Sequence, residues 1–190
     1  MKTQITGVVL AGGESSRMGE DKSLMLINEQ KLIEFSINAL KPFCKEVLIS
    51  SSKNAHQSFS CRKISDRFHK IGPIAGIQSA LVHSDTDYII ILPCDSPMVK
   101  PEFVEYLISE IEPNTSIIVP KYGPHLEPLF AIYHKKVLPI VEEQIKNGDY
   151  RLTHLLELCQ AKIVEVEDRT CFVNINTPED FKIFYQKKNL

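Results

Sequence analysis

Two glycines and two cations that follow a short apolar run are the residues of this chain best suited to chemistry. Residues 8–10 lead into Gly12-Gly13, and Arg17 and Lys22 follow five residues apart. Glycines at the end of a strand let the backbone turn tightly and bring its N–H groups close to a ligand. Two cations on one loop suit a polyphosphate, whose charge needs more than one positive partner. The pattern therefore indicates a phosphate-binding loop and a nucleotide ligand.

This loop departs from the two commonest phosphate-binding motifs. The P-loop requires G-x-x-x-x-G-K-[ST], whereas two acidic residues separate Gly19 from Lys22. The dinucleotide fingerprint requires G-x-G-x-x-G, whereas only polar residues, an arginine and a methionine lie between Gly13 and Gly19. Both mismatches argue against a kinase, an ATPase and an NAD enzyme. Lys22 also has an alternative role, a surface ion pair with Asp21.

A carboxylate follows the longest apolar run of the chain. Asp95 lies in the segment Pro93-Cys94-Asp95-Ser96-Pro97, directly after residues 88–92. In open α/β sheets, ligands bind outside the carboxyl ends of the strands. A single carboxylate there can hold Mg²⁺ through oxygen, while triphosphate and water complete the octahedron. The alternative is that Asp95 or Ser96 caps a turn.

Two asparagines near the end of the sequence form a second candidate binding segment. Asn174 and Asn176 alternate in an extended stretch that we expect to follow a strand, so both amides should lie on one face. Each amide offers donors and an acceptor suited to a heterocycle or a phosphate edge. The alternative is an Asx turn before a helix capped by Thr177, with Pro178 at its first position.

Two weaker candidates complete the set. Asp66 ends a predicted strand, and its carboxylate either contacts a nucleotide or is solvated in a loop. Arg151, in the segment Gly148-Asp149-Tyr150-Arg151, either contacts a ligand phosphate or is a surface residue in the first turn of a helix.

The motifs around these residues resemble one family. Residues 10–24 fit the pattern LAGG-x-S-x-R-M-G-x-D-K-x-L position by position, residues 94–97 fit C-D-x-P, and residues 174–180 fit N-x-N-T-P-E-D. The chain resembles the molybdenum cofactor guanylyltransferases (MobA), which belong to the nucleotidyltransferases that activate small phosphorylated compounds. The resemblance implies transfer of GMP from GTP to molybdopterin or its molybdenum-loaded form, with release of pyrophosphate. It also implies Mg²⁺ as the cofactor.

The resemblance assigns a role to each candidate residue. Lys22, Arg17 and Asp95 are implied as catalytic, Asp95 as the metal ligand, and Asn174, Asn176 and Arg151 as pterin-side residues. The implied nucleotide-binding residues are Leu10, Ala11, Gly12, Gly13, Lys22, Asp66 and Asp95. One departure concerns Ser50-Ser51-Ser52, which stands where relatives often have an asparagine-containing turn. It leaves a base-side or ribose-side contact open, because a hydroxyl replaces an amide in one hydrogen bond but not in two.

Several other functions remain possible. A cytidylyltransferase acting on the same pterin would carry LAAG, D-Q-P and aspartates at 174 and 176, so all three segments favour guanine. Cytidylyl transfer to a methylerythritol phosphate and nucleotidyl transfer to a sugar phosphate are disfavoured on the same grounds. A catalytically silent nucleotide-binding protein would be expected to lose Lys22 or Asp95, and both are present. A Rossmann-type redox enzyme would need the missing G-x-G-x-x-G.

Alternating apolar and helix-like segments must position these residues. We predict an α/β fold, a Rossmann-like three-layer sandwich with a mainly parallel sheet, similar to the nucleotide-diphospho-sugar transferases, as one domain over residues 1–190. The predicted strands cover residues 5–10, 46–50, 62–65, 88–92, 116–119, 129–133 and 162–166. The predicted helices cover residues 31–41, 73–82, 101–111, 137–146 and 151–159, and a further helix begins at Thr177.

Composition restricts the partners. A formal net charge of −2 argues against a nucleic-acid-binding face. No apolar run is long enough to span a bilayer, and the N-terminal residues make a poor signal peptide. Five cysteines without a C-x-x-C pair and six histidines without zinc-ligand spacing predict neither structural zinc nor disulfides, and they favour the cytoplasm. Transient contacts with a molybdenum-insertion enzyme and molybdoenzyme chaperones are implied by the resemblance alone.

Overall fold

The computed structural model describes residues 4–12, 21–51, 54–177, 179 and 180. Gly13 and Arg17 of the predicted phosphate loop, like Ser52 and Pro178, lie outside the described residues. The helices are α1 (Leu32–Leu40), α2 (Pro73–His83), α3 (Pro101–Ser109), α4 (Leu138–Lys146) and α5 (Leu152–Leu158). The strands are β1 (Ile5–Leu10), β2 (Leu26–Ile27), β3 (Gln30–Lys31), β4 (Glu46–Ser50), β5 (Arg62–Ile64), β6 (Tyr88–Pro93), β7 (Ile117–Tyr122), β8 (His125–Leu126), β9 (Ile132–His134) and β10 (Lys162–Glu165).

Eight of these strands form one sheet in the order β10-β7-β9-β6-β1-β4-β5, with β8 paired to β7. The four strands β6, β1, β4 and β5 run parallel to one another, with Val8 opposite both Leu48 and Ile91. Strand β9 is inserted antiparallel between β6 and β7. The carboxyl ends of β6, β1, β4 and β5 therefore meet at one edge of the sheet.

Both faces of the sheet are buried, which explains why its central strands are continuous apolar runs. Because strand side chains alternate, Val9, Ile90 and Leu92 pack in one core and Val8, Ile89 and Ile91 in the other. The first core includes residues of α1 and α3, and the second includes residues of α2, α4 and α5. The fold is thus the predicted three-layer α/β sandwich.

A small hairpin outside the main sheet forms a third core. Strands β2 and β3 pair antiparallel through a turn in which Asn28 and Glu29 have φ angles of 49° and 66°, as a two-residue hairpin turn requires. Ile27 of the hairpin packs with Leu32 and Ile175. This contact brings the segment around Ile175 beside the turn that carries Lys22.

The predicted strand over residues 129–133 is wrong in its first half. Residues Pro128–Phe130 form a 3₁₀ turn, and the strand begins at Ile132. The buried side chain of Phe130 makes T-shaped contacts with Phe103 and Phe172, with ring centroids 6.3 and 5.1 Å away. An apolar run can thus be buried in an aromatic cluster as well as in a sheet. The sequence pattern alone does not distinguish a strand from a turn that is buried in this way.

The other predicted elements within the described residues are present, with ends that match the prediction or are shifted by up to three residues. The helix predicted to begin at Thr177 lies mostly outside the described residues and stays a prediction. The short strands β2, β3 and β8 were not predicted. No helix in the described part of the chain combines the length and the apolar character needed to cross a bilayer. The assignment of residues 1–190 to one domain stays a prediction.

Candidate active site

The functional candidates meet where the four parallel strands end. Gly12 follows β1, Asp95 follows β6, Ser50 ends β4, and Asp66 lies two residues after β5. They line a cleft of about 830 Å³ at the carboxyl edge of the sheet, the place where open α/β sheets bind their ligands. The cleft is lined by Leu10, Gly12, Lys22, Ser50, Asp66, Phe68, His69, Lys70, Gly72, Pro73, Ala75, Gly76, Pro93, Cys94, Asp95 and Leu129.

Lys22 joins three segments that are far apart in the sequence. Its Nζ donates to Asp95 Oδ2 at 2.5 Å and to Asn176 Oδ1 at 3.0 Å. The side chain is 20% exposed, so the cation is held at the cleft surface and remains accessible to a ligand. The predicted alternative, a surface pair with Asp21, is not the arrangement that the structure shows for the Lys22 ammonium group.

Asp95 has an unusual environment for a carboxylate. The residue is 8% exposed, and its second oxygen, Oδ1, is buried without a hydrogen-bond partner among the described residues. A buried carboxylate oxygen normally has a partner, because leaving it unsatisfied costs about 1–3 kcal/mol. Oxygen is also the atom that Mg²⁺ prefers, so this residue fits a divalent cation.

No group of three or more histidine, cysteine, aspartate or glutamate residues that could hold a metal occurs within residues 4–12, 21–51, 54–177, 179 and 180. Ser96 donates from Oγ to Asn174 Oδ1 at 2.6 Å.

Both asparagines lie beside Asp95, although they follow a 3₁₀ turn (Arg169–Phe172) and not a strand. Ile175 between them is buried, and its N–H donates to the Asp95 carbonyl oxygen at 2.9 Å. Both asparagines are exposed, since an extended segment places alternate side chains on one side. Asn174 and Asn176 thus flank a buried residue, as two side chains on one face would, but they do so on a different local structure from the one predicted.

The predicted helix cap at Thr177 is present as far as the described residues extend. Asp180 N–H donates to Thr177 Oγ1 at 3.1 Å. The Asp180 carboxylate accepts from the N–H groups of Asn176 and Thr177 at 3.0 and 2.9 Å. These bonds hold the pKa of Asp180 below its usual value, and the bond from the Asn176 N–H has the largest effect. The reciprocal cap fixes the backbone that presents Asn176 to Lys22.

Asp66 and Ser50 form the other side of the cleft. Ser50 Oγ donates to Asp66 Oδ1 at 2.5 Å, so the serine that departs from the family pattern orients this carboxylate. A Cβ on Gly12 would lie 3.3 Å from Asp66 Oδ2. The absence of a side chain at Gly12 therefore keeps the approach to Asp66 open.

Gly76 is a cleft residue that the sequence analysis missed. A Cβ there would lie 2.8 Å from Leu10 Cδ2 and 3.2 Å from Ser50 Oγ. Helix α2 thus approaches β1 and β4 closely because this position has no side chain. The available signal was a glycine in the interior of a predicted helix, which is unfavourable unless packing requires it.

Phe68, His69 and Lys70 on the loop after Asp66 also line the cleft and were missed. Their sequence has no recognisable motif, so nothing local separated them from an ordinary loop. Lys70 has a φ of 61°, a conformation that costs most residues energy.

Ala11 and Arg151 have local partners. The Ala11 N–H donates to Ser50 O at 2.9 Å, so a phosphate would have to compete with the sheet for it. Arg151 precedes α5 and is absent from the residues that line the cleft. Its guanidinium pairs with Asp149 at 2.8 and 2.9 Å and holds the pKa of that carboxyl well below its usual range. The pterin-side role of Arg151 stays a prediction.

Comparison with known proteins gives concordant results. A family model described as MobA-like NTP transferase domain matches residues 7–166. A Vibrio campbellii protein named molybdenum cofactor guanylyltransferase is 39% identical over 189 residues, covering 97% of this chain and 96% of that protein. The crystal structure of molybdopterin-guanine dinucleotide biosynthesis protein A from Archaeoglobus fulgidus matches with a TM-score of 0.79 and 27% identity, over 97% of this chain and 98% of that one.

A CMP:2-keto-3-deoxy-manno-octonic acid synthetase complexed with CTP also matches, with a TM-score of 0.81 over 99% of this chain and 100% of that one. Its 15% identity shows the shared fold alone, which confirms the predicted fold class. The family model covers most of the chain, and the Vibrio campbellii relative covers nearly all of it. The chain therefore belongs to the MobA-like NTP transferases, in the family of the molybdenum cofactor guanylyltransferases.

Proposed function

We propose that the chain transfers GMP from GTP to molybdopterin or its molybdenum-loaded form, which yields a guanine dinucleotide cofactor and pyrophosphate. The observation that carries this proposal is the position of Lys22 Nζ between Asp95 Oδ2 and Asn176 Oδ1 at the carboxyl edge of the sheet. That arrangement joins the three motifs on which the family resemblance rests. The relatives at 36–39% identity that carry the guanylyltransferase name support the same activity.

The transfer needs positioning and charge stabilisation more than a nucleophilic side chain. The terminal phosphate of the pterin attacks the α-phosphorus of GTP in line, and pyrophosphate leaves with the bonding electrons of the broken P–O bond. The Lys22 ammonium group stabilises the negative charge that develops on the leaving pyrophosphate. Arg17 is proposed to share this role, and Gly12 and Gly13 to let the phosphates approach the backbone.

Asp95 is proposed to hold Mg²⁺ through its carboxylate. When bound, Mg²⁺ would neutralise phosphate charge and polarise the α-phosphate. The buried Oδ1 without a hydrogen-bond partner among the described residues supports this assignment. Lys22 on Oδ2 orients the carboxylate through a charge-assisted hydrogen bond.

The two sides of the cleft are proposed to hold different parts of the substrates. Leu10, Ala11 and Asp66 are assigned to the nucleotide, with Ser50 orienting the Asp66 carboxylate. Asn174, Asn176 and Arg151 are assigned to the pterin. The cytoplasm is the proposed location, and a molybdenum-insertion enzyme and molybdoenzyme chaperones are the proposed transient partners.

Pyrophosphate release tests the proposal directly. The purified protein is supplied with Mg²⁺ and molybdopterin and offered GTP, CTP, ATP and UTP in parallel, with a control that lacks pterin. Release with GTP that depends on pterin is the expected result. A preference for CTP would overturn the base assignment, and silence with every nucleotide from folded protein would overturn the transfer itself.

A further inference from the structure

A buried histidine lies behind the turn that carries Lys22. The side chain of His56 is 0% exposed and lies in the 3₁₀ helix Asn54–Ser58 that follows β4. Its Nδ1 is 2.7 Å from Ser51 Oγ, and its Nε2 is 2.7 Å from Ser23 Oγ. Ser23 and Ser51 are also buried. The imidazole therefore connects the end of β4 to the residue immediately after Lys22.

The directions of these hydrogen bonds follow from the groups involved. Ser23 Oγ donates to Asp21 Oδ1 at 2.7 Å, because an ionised carboxylate can only accept. The Ser23 oxygen must then accept from His56, so the hydrogen is on Nε2 of the imidazole. The Asp21 carboxylate also accepts from the Ser23 N–H at 3.2 Å and has its Oδ2 3.6 Å from His56 Nε2.

We propose that His56 is a positioning residue that holds Lys22 in line with the reacting phosphates through Ser23 and Asp21. The inference rests on the proposed guanylyl transfer and adds to it a residue outside the cleft. Lys22 lies between Asp21 and Ser23, so both of its sequence neighbours are held by the same hydrogen-bond chain. His56 is absent from the residues that line the cleft, so its proposed effect on Lys22 is transmitted through that chain.

The turn needs such support because it is short. It contains residues Lys22–Leu24, and its backbone bonds are Leu24 N–H to Asp21 O at 2.9 Å and Met25 N–H to Lys22 O at 3.1 Å. A single turn of this kind is weak by itself. Displacement of a catalytic group by about 1 Å can lower the rate by about 10²-fold.

The consecutive serines at the end of β4 divide between the two sides of the cleft. Ser50 donates to Asp66 on the nucleotide side, and Ser51 contacts His56 on the Lys22 side. One strand end thus fixes both the Asp66 carboxylate and the Lys22 turn. This gives a physical reason for serines at 50 and 51, where the family resemblance led us to expect an asparagine.

Two substitutions of His56 test its hydrogen bonds to Ser23 and to Ser51 separately. In His56→Gln the terminal amide reaches the position of Nε2 and can still donate to Ser23. In His56→Asn the amide reaches only the position of Nδ1, beside Ser51. We expect His56→Asn to lower kcat about 10- to 100-fold, with a change of less than about threefold in the KM for GTP. We expect His56→Gln to stay within about threefold of wild-type kcat.

Amide hydrogen exchange tests the same inference without any substrate. The N–H groups of Ser23, Leu24 and Met25 are hydrogen-bonded within the turn. We expect them to exchange about tenfold faster in His56→Asn than in wild type, while His56→Gln restores their protection. If the wild type released no pyrophosphate with any nucleotide, the proposed function would fail, and the exchange result would still decide whether His56 positions the turn.

His134→Asn is the matched control. His134 is a half-buried histidine of β9 opposite Tyr88, at the start of β6 and away from the cleft. We expect this variant to change only thermal stability. Equal kcat and equal exchange in His56→Asn and His56→Gln, whether both are unchanged or both impaired in step with thermal stability, would overturn the inference.

Discussion

Strands β1 and β6 have buried polar groups near both of their ends, and the two sets differ in how far hydrogen bonds among the described residues satisfy them. At the start of β1, Thr6 Oγ1 lies 2.9 Å from both Thr86 Oγ1 and Ser84 Oγ. Ser84 Oγ and Thr86 Oγ1 are 3.0 Å apart, and Thr86 Oγ1 also donates to Tyr88 O. All three hydroxyl groups are buried and mutually satisfied.

At the other end of the same strands, the part of the chain that the structure describes satisfies the polar groups only in part. Asp95 Oδ1 is buried without a hydrogen-bond partner among the described residues, and the absence of a side chain at Gly12 keeps the approach to Asp66 open. A polar cluster that satisfies itself stabilises the fold, whereas one that does not is suited to a ligand. Substitutions at the two ends should therefore separate stability from activity.

The largest expected effect is loss of turnover in Lys22→Ala. We expect kcat to fall about 10²–10³-fold, because the cation that stabilises the leaving group is removed from a prearranged position. The melting temperature should change little, since the side chain lies at the cleft surface. Initial rates of pyrophosphate release and thermal unfolding measure the two quantities.

Lys121→Ala is the control for that variant, because Lys121 forms an exposed ion pair with Glu165 away from the cleft, worth about 1 kcal/mol or less. It should retain wild-type kcat. Turnover in Lys22→Ala above about a tenth of wild type would contradict the role assigned to Lys22.

Gly76→Ala should weaken nucleotide binding without unfolding the protein. Its methyl group would displace the Leu10 side chain, 2.8 Å from Cδ2, toward the cleft. Alanine also favours the helix by up to about 1 kcal/mol, which offsets part of the strain. We expect the KM for GTP to rise about tenfold, equivalent to about 1.4 kcal/mol. Val82→Ala on the exposed side of the same helix should leave the KM unchanged, and an unchanged KM in Gly76→Ala would refute the close approach.

Thr6→Val should show the opposite behaviour at the start of β1. The valine keeps the shape of the side chain but removes one hydroxyl group from the buried cluster, at a cost of about 1–2 kcal/mol. The melting temperature should then fall by about 2–8 °C, while kcat and the KM for GTP stay at their wild-type values. A loss of activity with no loss of stability would break the distinction between the two ends.

The sequence was sufficient for features that depend on neighbouring residues. The apolar runs predicted β1, β4 and β6 because strands buried on both faces are continuously hydrophobic. The spacing of the glycines and Lys22, and the place of Asp95 after β6, were visible in short motifs.

Features that depend on tertiary contacts were not predictable in this way. Lys22 contacts Asn176 across 154 positions of the chain, and no local pattern specifies that distance. The role of Gly76 arises only because α2 passes over Leu10. In the sequence, His56 belongs to no zinc-ligand pattern. Its contacts with two serines depend on the path of the chain after β4.

The smallest expected effect is that of Asp180→Asn, which tests whether the Asp180 carboxylate holds the backbone of Asn176 in place beside the cleft. The Asp180 carboxylate accepts two backbone N–H bonds and so fixes Asn176, which contacts Lys22. Because these bonds lower the pKa of Asp180 in the folded state, its stabilising effect is present above the ordinary value of 3.8 and is lost as the pH falls through the lower folded pKa. Wild type should therefore be more stable than Asp180→Asn in urea at pH 5–7, with the difference closing below pH 3.8. Near neutral pH we expect kcat to fall about threefold, because Asn176 is held less firmly and its contact with Lys22 weakens. The loss of free energy should be about as small as that of one solvent-exposed ion pair. A stability difference that persisted unchanged below that pH would show that the asparagine perturbs packing and that the charge has no part in holding Asn176.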